Sequence, residues 1–362
     1  MWMTTIAAFF CAVWLSMTAV ASLALPVWGR GLMAGWLLVS SLKRPVLNLF
    51  GTGYMSPDGM PAPLYAYFLL AEGMLYMGGV LSLLWGVLLL CGAAVPPSWV
   101  LFGAVILGGV VTLRGYLPPK LRAYTVALQH LPPSAEGMRV LQLSDIHLDL
   151  LRRAGACRRL VRRVNALKPD VILITGDLED GPLPLRREAL APLAELSAPE
   201  GVFAVTGNHE YYYDVSPYLP YYKSLGIRVL DGASATVRGV ALLGVPDGRS
   251  LTRQDNGPLL EHLIRALPPQ TATVLLAHKP AVAEAAAKLG VGLVLSGHTH
   301  GGQLPGVASV IARFNRGFVR GWYAPGAQTR LYVSRGCGVW CGFPFRVYGA
   351  EITLFTLSKE KA

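Results

Sequence analysis

Ser296-Gly297-His298-Thr299-His300-Gly301-Gly302-Gln303 decides how the chain is read. It follows Val291 to Leu295, an apolar run short enough for a buried strand. The two histidines therefore stand on a glycine-hinged loop at a strand's C-terminal edge, where glycine lets the backbone turn tightly enough to aim both rings at one place. Neutral imidazole is the commonest side-chain ligand of transition metals. Alone, His-x-His is more often an ordinary surface loop, so the reading depends on partners elsewhere in the chain.

Those partners recur at the ends of other strand-like runs. Val140 to Leu143 leads into Asp145 and His147, Val171 to Thr175 into Gly176-Asp177-Leu178-Glu179-Asp180, and Val202 to Thr206 into Gly207-Asn208-His209-Glu210. Thr273 to Leu276 leads into His278 and Lys279. Helices are expected over Arg152 to Leu167, with Leu160, Val161, Val164 and Leu167 on one stripe, and around Arg186 to Leu196. Open α/β sheets build their sites at the C-terminal edge of their strands. Any one of these clusters is unremarkable, but five strand ends in series carrying Asp/His, Asp, Asn/His, His and His/His describe one centre. Carboxylate, amide oxygen and imidazole suit two divalent ions such as Mn, Fe or Zn, with a carboxylate between them to offset their repulsion. Such a pair clamps a phosphate oxygen and lowers the pKa of a shared water, and an imidazole that is not a ligand can protonate the leaving alkoxide.

Composition adds a second region. With 53% hydrophobic and 15% charged residues and a mean hydropathy of +0.44, the 362-residue chain is too apolar for an ordinary soluble protein. Before Arg114 the charged side chains are Arg30, Lys43, Arg44, Asp58 and Glu72 alone. Thr5 to Leu25, Leu64 to Leu90 and Trp99 to Leu113 read as membrane spans, and Gly31 to Leu42 as an interfacial or re-entrant piece. Glu72 is expected among head groups or against a neighbouring helix. Basic residues at Arg30, Lys43 and Arg44 and again at Arg114, Lys120 and Arg122 place the C-terminal part on the cytoplasmic face of a multi-pass cell-membrane protein. Five scattered cysteines give no disulfide framework, and Cys337 and Cys341 read as small buried hydrophobes. A net charge of +11 points to an anionic partner.

Asp145-x-His147, Gly176-Asp177-x-x-Asp180, Gly207-Asn208-His209-Glu210, His278 and Gly297-His298-x-His300, in this order, resemble the signature of the calcineurin-like metallophosphoesterases. The ending Gly301-Gly302-Gln303 and the segment from Tyr332 to Arg346 are similar to the membrane-associated branch of YkuE-type phosphodiesterases, related to UDP-2,3-diacylglucosamine hydrolases. The resemblance implies an α/β fold, a four-layer α/β/β/α sandwich over 138–362; composition puts before it an all-α transmembrane region over 1–116, a departure from branch members with a single anchor, and a linker over 117–137. It implies that Asp145, His147 and His300 hold one metal, Asp177 bridges, and Asn208, His278 and His298 hold the second. His209 becomes the general acid or leaving-group stabiliser and Asp180 the carboxylate that orients its neighbours; Arg346, Arg335 and Lys279 are candidates for binding substrate phosphate, Arg346 first among them by the resemblance.

The expected activity is metal-dependent phosphoric ester hydrolysis, of a phosphodiester or pyrophosphate in a lipid or lipid-linked substrate, by attack of a metal-bridged hydroxide. The alternative is a broad phosphodiesterase of soluble substrates that is merely tethered. Ala308 to Tyr323 interleaves Val310, Phe314 and Trp322 with Arg313, Arg316 and Arg320, a composition that suits either a membrane interface or a loop packed on the sandwich. No nucleic-acid partner is expected, since no nucleic-acid module accompanies the motifs.

Overall fold

The computed structural model describes residues 2–50, 60–248, 256–303, 307–340 and 345–360. The chain divides into two compact units, Met1–Leu117 with Cys341–Val347, and Pro118–Trp340 with Tyr348–Ala362.

The first unit is helical: α1 (Trp2–Leu15), α2 (Val27–Ser40), α3 (Lys43–Leu49), α4 (Ala62–Leu90) and α5 (Ser98–Gly115). Two of these, α4 and α5, are long and apolar enough to cross a membrane. The stretch expected as a first span is shorter than expected, because α1 loosens into a π-helical turn at Ser16–Val20 and stops. The hydroxyls of Ser16, Thr18 and Ser22 each donate to the carbonyl four residues back at 2.7 Å, which competes with regular helix hydrogen bonding. Among the described residues, two helices are of spanning length, with a shorter apolar helix over Thr5–Val20. Glu72 faces a neighbouring helix, where its buried carboxylate accepts from the Lys43 ammonium at 2.5 Å. A charge at that place is tolerable only when paired.

The second unit holds two six-stranded sheets. Its elements are β1 (Lys120–Leu128), β2 (Arg139–Leu143), α6 (Ala154–Ala166), β3 (Val171–Thr175), α7 (Leu183–Leu190), β4 (Val202–Val205), α8 (Asn208–Tyr212), α9 (Tyr218–Ser224), β5 (Ile227–Val229), β6 (Ala233–Val237) and β7 (Val240–Gly244). There follow α10 (Gly257–Arg265), β8 (Thr273–Leu276), α11 (Ala283–Lys288), β9 (Leu293–Ser296), α12 (Val307–Phe314), β10 (Gly321–Tyr323), β11 (Arg330–Val333) and β12 (Glu351–Lys359). One sheet runs β1-β12-β2-β3-β4-β5 and the other β10-β11-β9-β8-β7-β6.

Apolar burial makes four layers of them. Val140, Leu173 and Phe203 of one sheet meet Leu242, Val274 and Leu295 of the other in a central core. Cys157, Leu160, Val161 and Val164 of α6 cover the first sheet's outer face, with the helix's arginines on the solvent side. Leu260 and Leu263 of α10 and Ala283 and Ala286 of α11 cover the second. The expected α/β/β/α sandwich is thus present.

Three departures have local causes. Residues 117–137, expected as a linker, instead supply β1, which pairs in parallel with β12 from Lys120↔Glu351 to Leu128↔Lys359. The helix expected around Arg186 to Leu196 starts earlier and tightens to a 3₁₀ turn at Ala191–Glu195, because Pro192 has no N–H to continue the ladder. The last strand before the histidine loop starts at Leu293 rather than Val291, whose N–H is spent on the carbonyl of Ala286 in α11. Cys337 is buried and its thiol donates to the Glu351 carbonyl, whereas Cys341 lies outside the described residues.

Candidate metal centre

Strand register brings the polar strand ends to one level. Leu143 pairs with Ile174 and Ile174 with Ala204, so Asp145, Asp177 and Asn208 leave their parallel strands side by side. Leu276 pairs with Leu295 in the other sheet, which aligns His278 with His298. The sheets are tied at this edge, as Gln142 Nε2 donates to Ser296 O at 3.1 Å and the Nδ1 of His278 lies 2.7 Å from Thr175 O.

Chain after chain end turns sharply here. Asp145, His147, Asp177, His298 and His300 all have positive φ, between 46° and 70°. This left-handed region costs an ordinary residue roughly 1–2 kcal/mol, and such strain gathers at functional sites. Two glycines keep the loops nested. A Cβ at Gly207 would collide with the Asp177 carboxylate, and one at Gly297 with Ser144 Oγ and Asp145 Oδ2.

The side chains converge on Asp177. Its Oδ2 lies 3.2 Å from His278 Nε2, 3.6 Å from His147 Nε2 and 3.7 Å from His209 Nε2. On the other side of His147, His300 Nε2 stands 3.0 Å from His147 Nε2 and 3.5 Å from Asp145 Oδ1. Donor groups able to hold a cation are Asp145–His147–His300, His147–Asp177–His209 and Asp145–Asp177–His278, all buried. Asn208 Oδ1 and His298 Nδ1 join the third through His278 Nε2, at 3.1 and 3.3 Å.

These donors fit metal ions. Ligand bonds of about 2.1 Å place neighbouring donors about 3.0–3.4 Å apart in octahedral or tetrahedral geometry, the range most of these separations occupy. The facing Nε2 atoms of His147 and His300 satisfy no ordinary hydrogen bond if both keep their lone pairs inward. Asp180 fixes that tautomer in His147, since its Oδ1 lies 2.9 Å from His147 Nδ1 and 2.6 Å from His209 Nδ1. A carboxylate behind a ligating imidazole is the usual outer support of such a centre. Among the expected ligands, all seven are therefore at one place, and Asp180 stands behind His147 and His209.

The expected phosphate binders are not gathered equally. Lys279 has its ammonium on Asp247 Oδ1 at 2.5 Å. Arg335 Nε lies 3.4 Å from Glu351 Oε2. Arg346 belongs to the helical unit, fully buried, and its N–H donates to Val111 O at 3.1 Å.

Glu210 had no role in the sequence reading. Its carboxylate accepts from the N–H groups of Gly207 (2.8 Å), Leu178 (3.0 Å) and Asp177 (3.3 Å), and from Tyr222 Oη (3.2 Å). It thereby clamps the Asp177 loop to the Asn208–His209 loop. The signal was legible: a glutamate three residues after the N-cap Gly207 is the capping-box position. Glu210→Gln turns an amide N–H₂ toward these donors. The expected outcome is a metal requirement raised about 10–100-fold with activity recovered at excess metal, read by titrating activity with Mn or Zn. An unchanged metal dependence counts against this role.

Charges follow from burial and proximity. Burial raises Asp145 above the usual carboxylate range. It opposes ionisation of Asp177 and Asp180 too, but facing histidines outweigh it and hold both well below that range. His209 and His278 lose by burial and gain more from Asp177, with Asp180 helping the first and Asp145 the second, so they rise to about 9 and about 10. His298 is pushed well below its usual value by burial and by the positive charges of His278 and Lys279.

This gives metal-stripped protein a definite pH dependence. Folded His209 and His278 bind protons more tightly than at the ordinary 6.5. Their contribution to stability is fully present below about pH 6.5 and is lost as pH rises through about 9 and 10. Divalent metal takes the place of the His278 proton and flattens that slope. Melting temperatures from pH 6 upward, with chelator and with metal, check this; equal slopes in both refute it.

Comparison with known proteins agrees with this geometry. The family description "Calcineurin-like phosphoesterase" matches residues 138–302, which include every expected metal ligand. The chain is 35% identical over 280 residues to the "Transmembrane protein with metallophosphoesterase domain" of Bos taurus, covering 73% of this chain and 63% of that one. It is 35% identical over 268 residues to an "Uncharacterized metallophosphoesterase" of Aquifex aeolicus, covering 72% and 99%. It is 31% identical over 271 residues to the "Uncharacterized metallophosphoesterase YkuE" of Bacillus subtilis, covering 70% and 92%. The chain spans less than two thirds of the length of the first of these relatives.

Proposed function

Since the chain belongs to the calcineurin-like metallophosphoesterase family and is a metal-dependent hydrolase, we propose that it is a membrane-anchored binuclear phosphodiesterase acting on a lipid or lipid-linked phosphodiester or pyrophosphate. The observation that carries the two-ion reading is the placement of Asp177 Oδ2 within 3.2–3.7 Å of three imidazole nitrogens, with a second donor group sharing His147. Asp145, His147 and His300 would hold one ion and Asn208, His278 and His298 the other, with Asp177 contributing to both. Bound divalent ions supply Lewis acidity to the phosphoryl oxygens and a water of lowered pKa.

The protein's own groups do the rest. Asp180 keeps the His147 ring turned so that Nε2 faces the centre. It holds His209 by Nδ1 as well, leaving His209 Nε2 free to present a proton toward a leaving alkoxide. In the metal-free protein Asp177 and Asp180 raise the pKa of His209 against the effect of burial, which favours that proton. Tyr212, whose ring centroid is 4.9 Å from that of His209, and Trp340 at 6.3 Å wall the site with apolar surface.

The membrane part of the reading is supported by the two apolar helices and by relatives named transmembrane proteins, which suggest membrane association. We place the catalytic unit on the cytoplasmic side, on the strength of Arg114, Lys120 and Arg122 after the last span. Lys279, next to His278 in sequence, and Arg335, whose side chain lies against Gly301, are the proposed partners of substrate phosphate.

The test is hydrolysis by detergent-solubilised full chain, stripped with chelator and reloaded with Mn, Fe or Zn. A lipid phosphodiester such as phosphatidylglycerol and the soluble bis(4-nitrophenyl) phosphate are compared. Metal-restored turnover that favours the lipid supports the proposal, and equal or better turnover of the soluble diester assigns a tethered phosphodiesterase of soluble substrates. No metal-restored turnover of either removes the reading.

A further inference from the structure

The segment from Ala308 to Tyr323 separates into two parts of opposite character. Its later part packs inward, with Val319 buried and the Trp322 ring 5.0 Å from Tyr332 and 5.6 Å from Phe355. Arg320 is committed as well, donating to Gly301 O at 2.9 Å and lying 3.9 Å over the Tyr348 ring. α12 behaves differently, since none of its residues is buried. Ala308, Ile311 and Asn315, spaced by three and four, form the half-buried to buried side. The opposite side carries Val310 and Phe314, one turn apart and 58% and 65% exposed, with exposed Arg313 beside them and Arg316 beyond. A large aliphatic and an aromatic group held in water on one helical turn gain nothing from burial.

A cavity of about 500 Å³ opens beside the same helix. Phe314, Asn315 and Arg316 line one part of it, and His278 and Lys279 another. Arg316 reaches Glu284 across it at 3.5 Å. Phe314 is therefore both a surface group and a wall of the space that leads to a ligand of the metal centre. The occupant of the α12 face is narrowed by the chain itself. Two helices of spanning length and relatives named transmembrane proteins suggest membrane association, and an apolar stripe beside an arginine matches acyl chains below head-group phosphates.

We propose that α12 rests on an anionic bilayer, with Val310 and Phe314 against acyl chains and Arg313 toward lipid phosphates. The cavity between Phe314 and His278 then receives the phosphate-bearing head of an amphiphilic ester directly from that surface. The bilayer contact stands independently, while the substrate half rests on the phosphodiesterase reading above.

The experiment uses the full chain in nanodiscs of phosphatidylcholine, alone or mixed with phosphatidylglycerol, carrying brominated acyl chains. Val310→Trp is compared with the wild-type protein, whose own tryptophans set the background. Added quenching in Val310→Trp, stronger with phosphatidylglycerol and weakened by Arg313→Glu, is the expected result. Absence of added quenching overturns the bilayer contact and leaves α12 to a protein partner or to water. In parallel, Phe314→Asp is expected to raise KM for phosphatidylglycerol about tenfold, the value of one buried aromatic group, with bis(4-nitrophenyl) phosphate changed less than about twofold. Equal losses on both substrates overturn the substrate route and assign Phe314 to packing. If quenching is present but wild-type protein hydrolyses neither diester, the bilayer contact holds and the phosphodiesterase reading falls.

Discussion

Replacing Asp177 by alanine is expected to remove at least about three orders of magnitude of kcat/KM on every phosphodiester, together with bound metal. Asp177 is the side chain that His147, His209 and His278 all face through Nε2. Without its carboxylate, the three imidazoles would share a buried space with bound cations and lose the nearest negative charge that offsets theirs. Metal ions supply several kcal/mol of transition-state stabilisation, and about 1.4 kcal/mol is a factor of ten, so losing one ion suffices for the effect. Metal content by mass spectrometry, measured beside turnover, makes the result decisive. A variant that keeps both ions and wild-type turnover excludes Asp177 as the bridge. Asp177→Asn should retain more folded protein than Asp177→Ala, because an amide oxygen can still accept the His209 N–H that Asp177 Oδ1 accepts at 3.0 Å.

His209→Ala separates two roles that geometry leaves adjacent. As proton donor, His209 is worth about 10²–10⁴ in kcat, and that loss should appear with alkyl leaving groups and shrink with 4-nitrophenolate, which departs without help. As a metal ligand, suggested by its place in the group with His147 and Asp177, its loss should remove metal and penalise both leaving groups alike. The expected pattern is the first: metal retained, alkyl diester nearly dead, nitrophenyl diester mildly slowed. Its structural basis is the attachment of His209 Nδ1 to Asp180 at 2.6 Å, which orients the ring without a cation.

The centre was more legible in the sequence than the architecture around it. Ligand residues sit at strand ends, and a short apolar run followed by glycine and a polar group marks such an end regardless of long-range contacts. Asp145, Asp177, Asn208, His278, His298 and His300 were all found that way. β1 was not, because Pro118 and Pro119 directly before it read as a break between regions and its partner β12 lies more than two hundred residues away. The shortening of the first apolar helix turned on hydroxyl groups whose competition for backbone carbonyls is a matter of geometry rather than hydropathy.

Five of the residues at the centre stand in left-handed backbone. All five are aspartate or histidine, types that tolerate this conformation better than most, and none is glycine, which would adopt it freely. Activity and thermal robustness are therefore set against each other at identifiable positions. A copy of this gene released from its chemistry should drift toward glycine or asparagine at 145, 147, 177, 298 and 300 before it drifts elsewhere in the sandwich, and a catalytically silent scaffold for engineering can be made sturdier by the same changes.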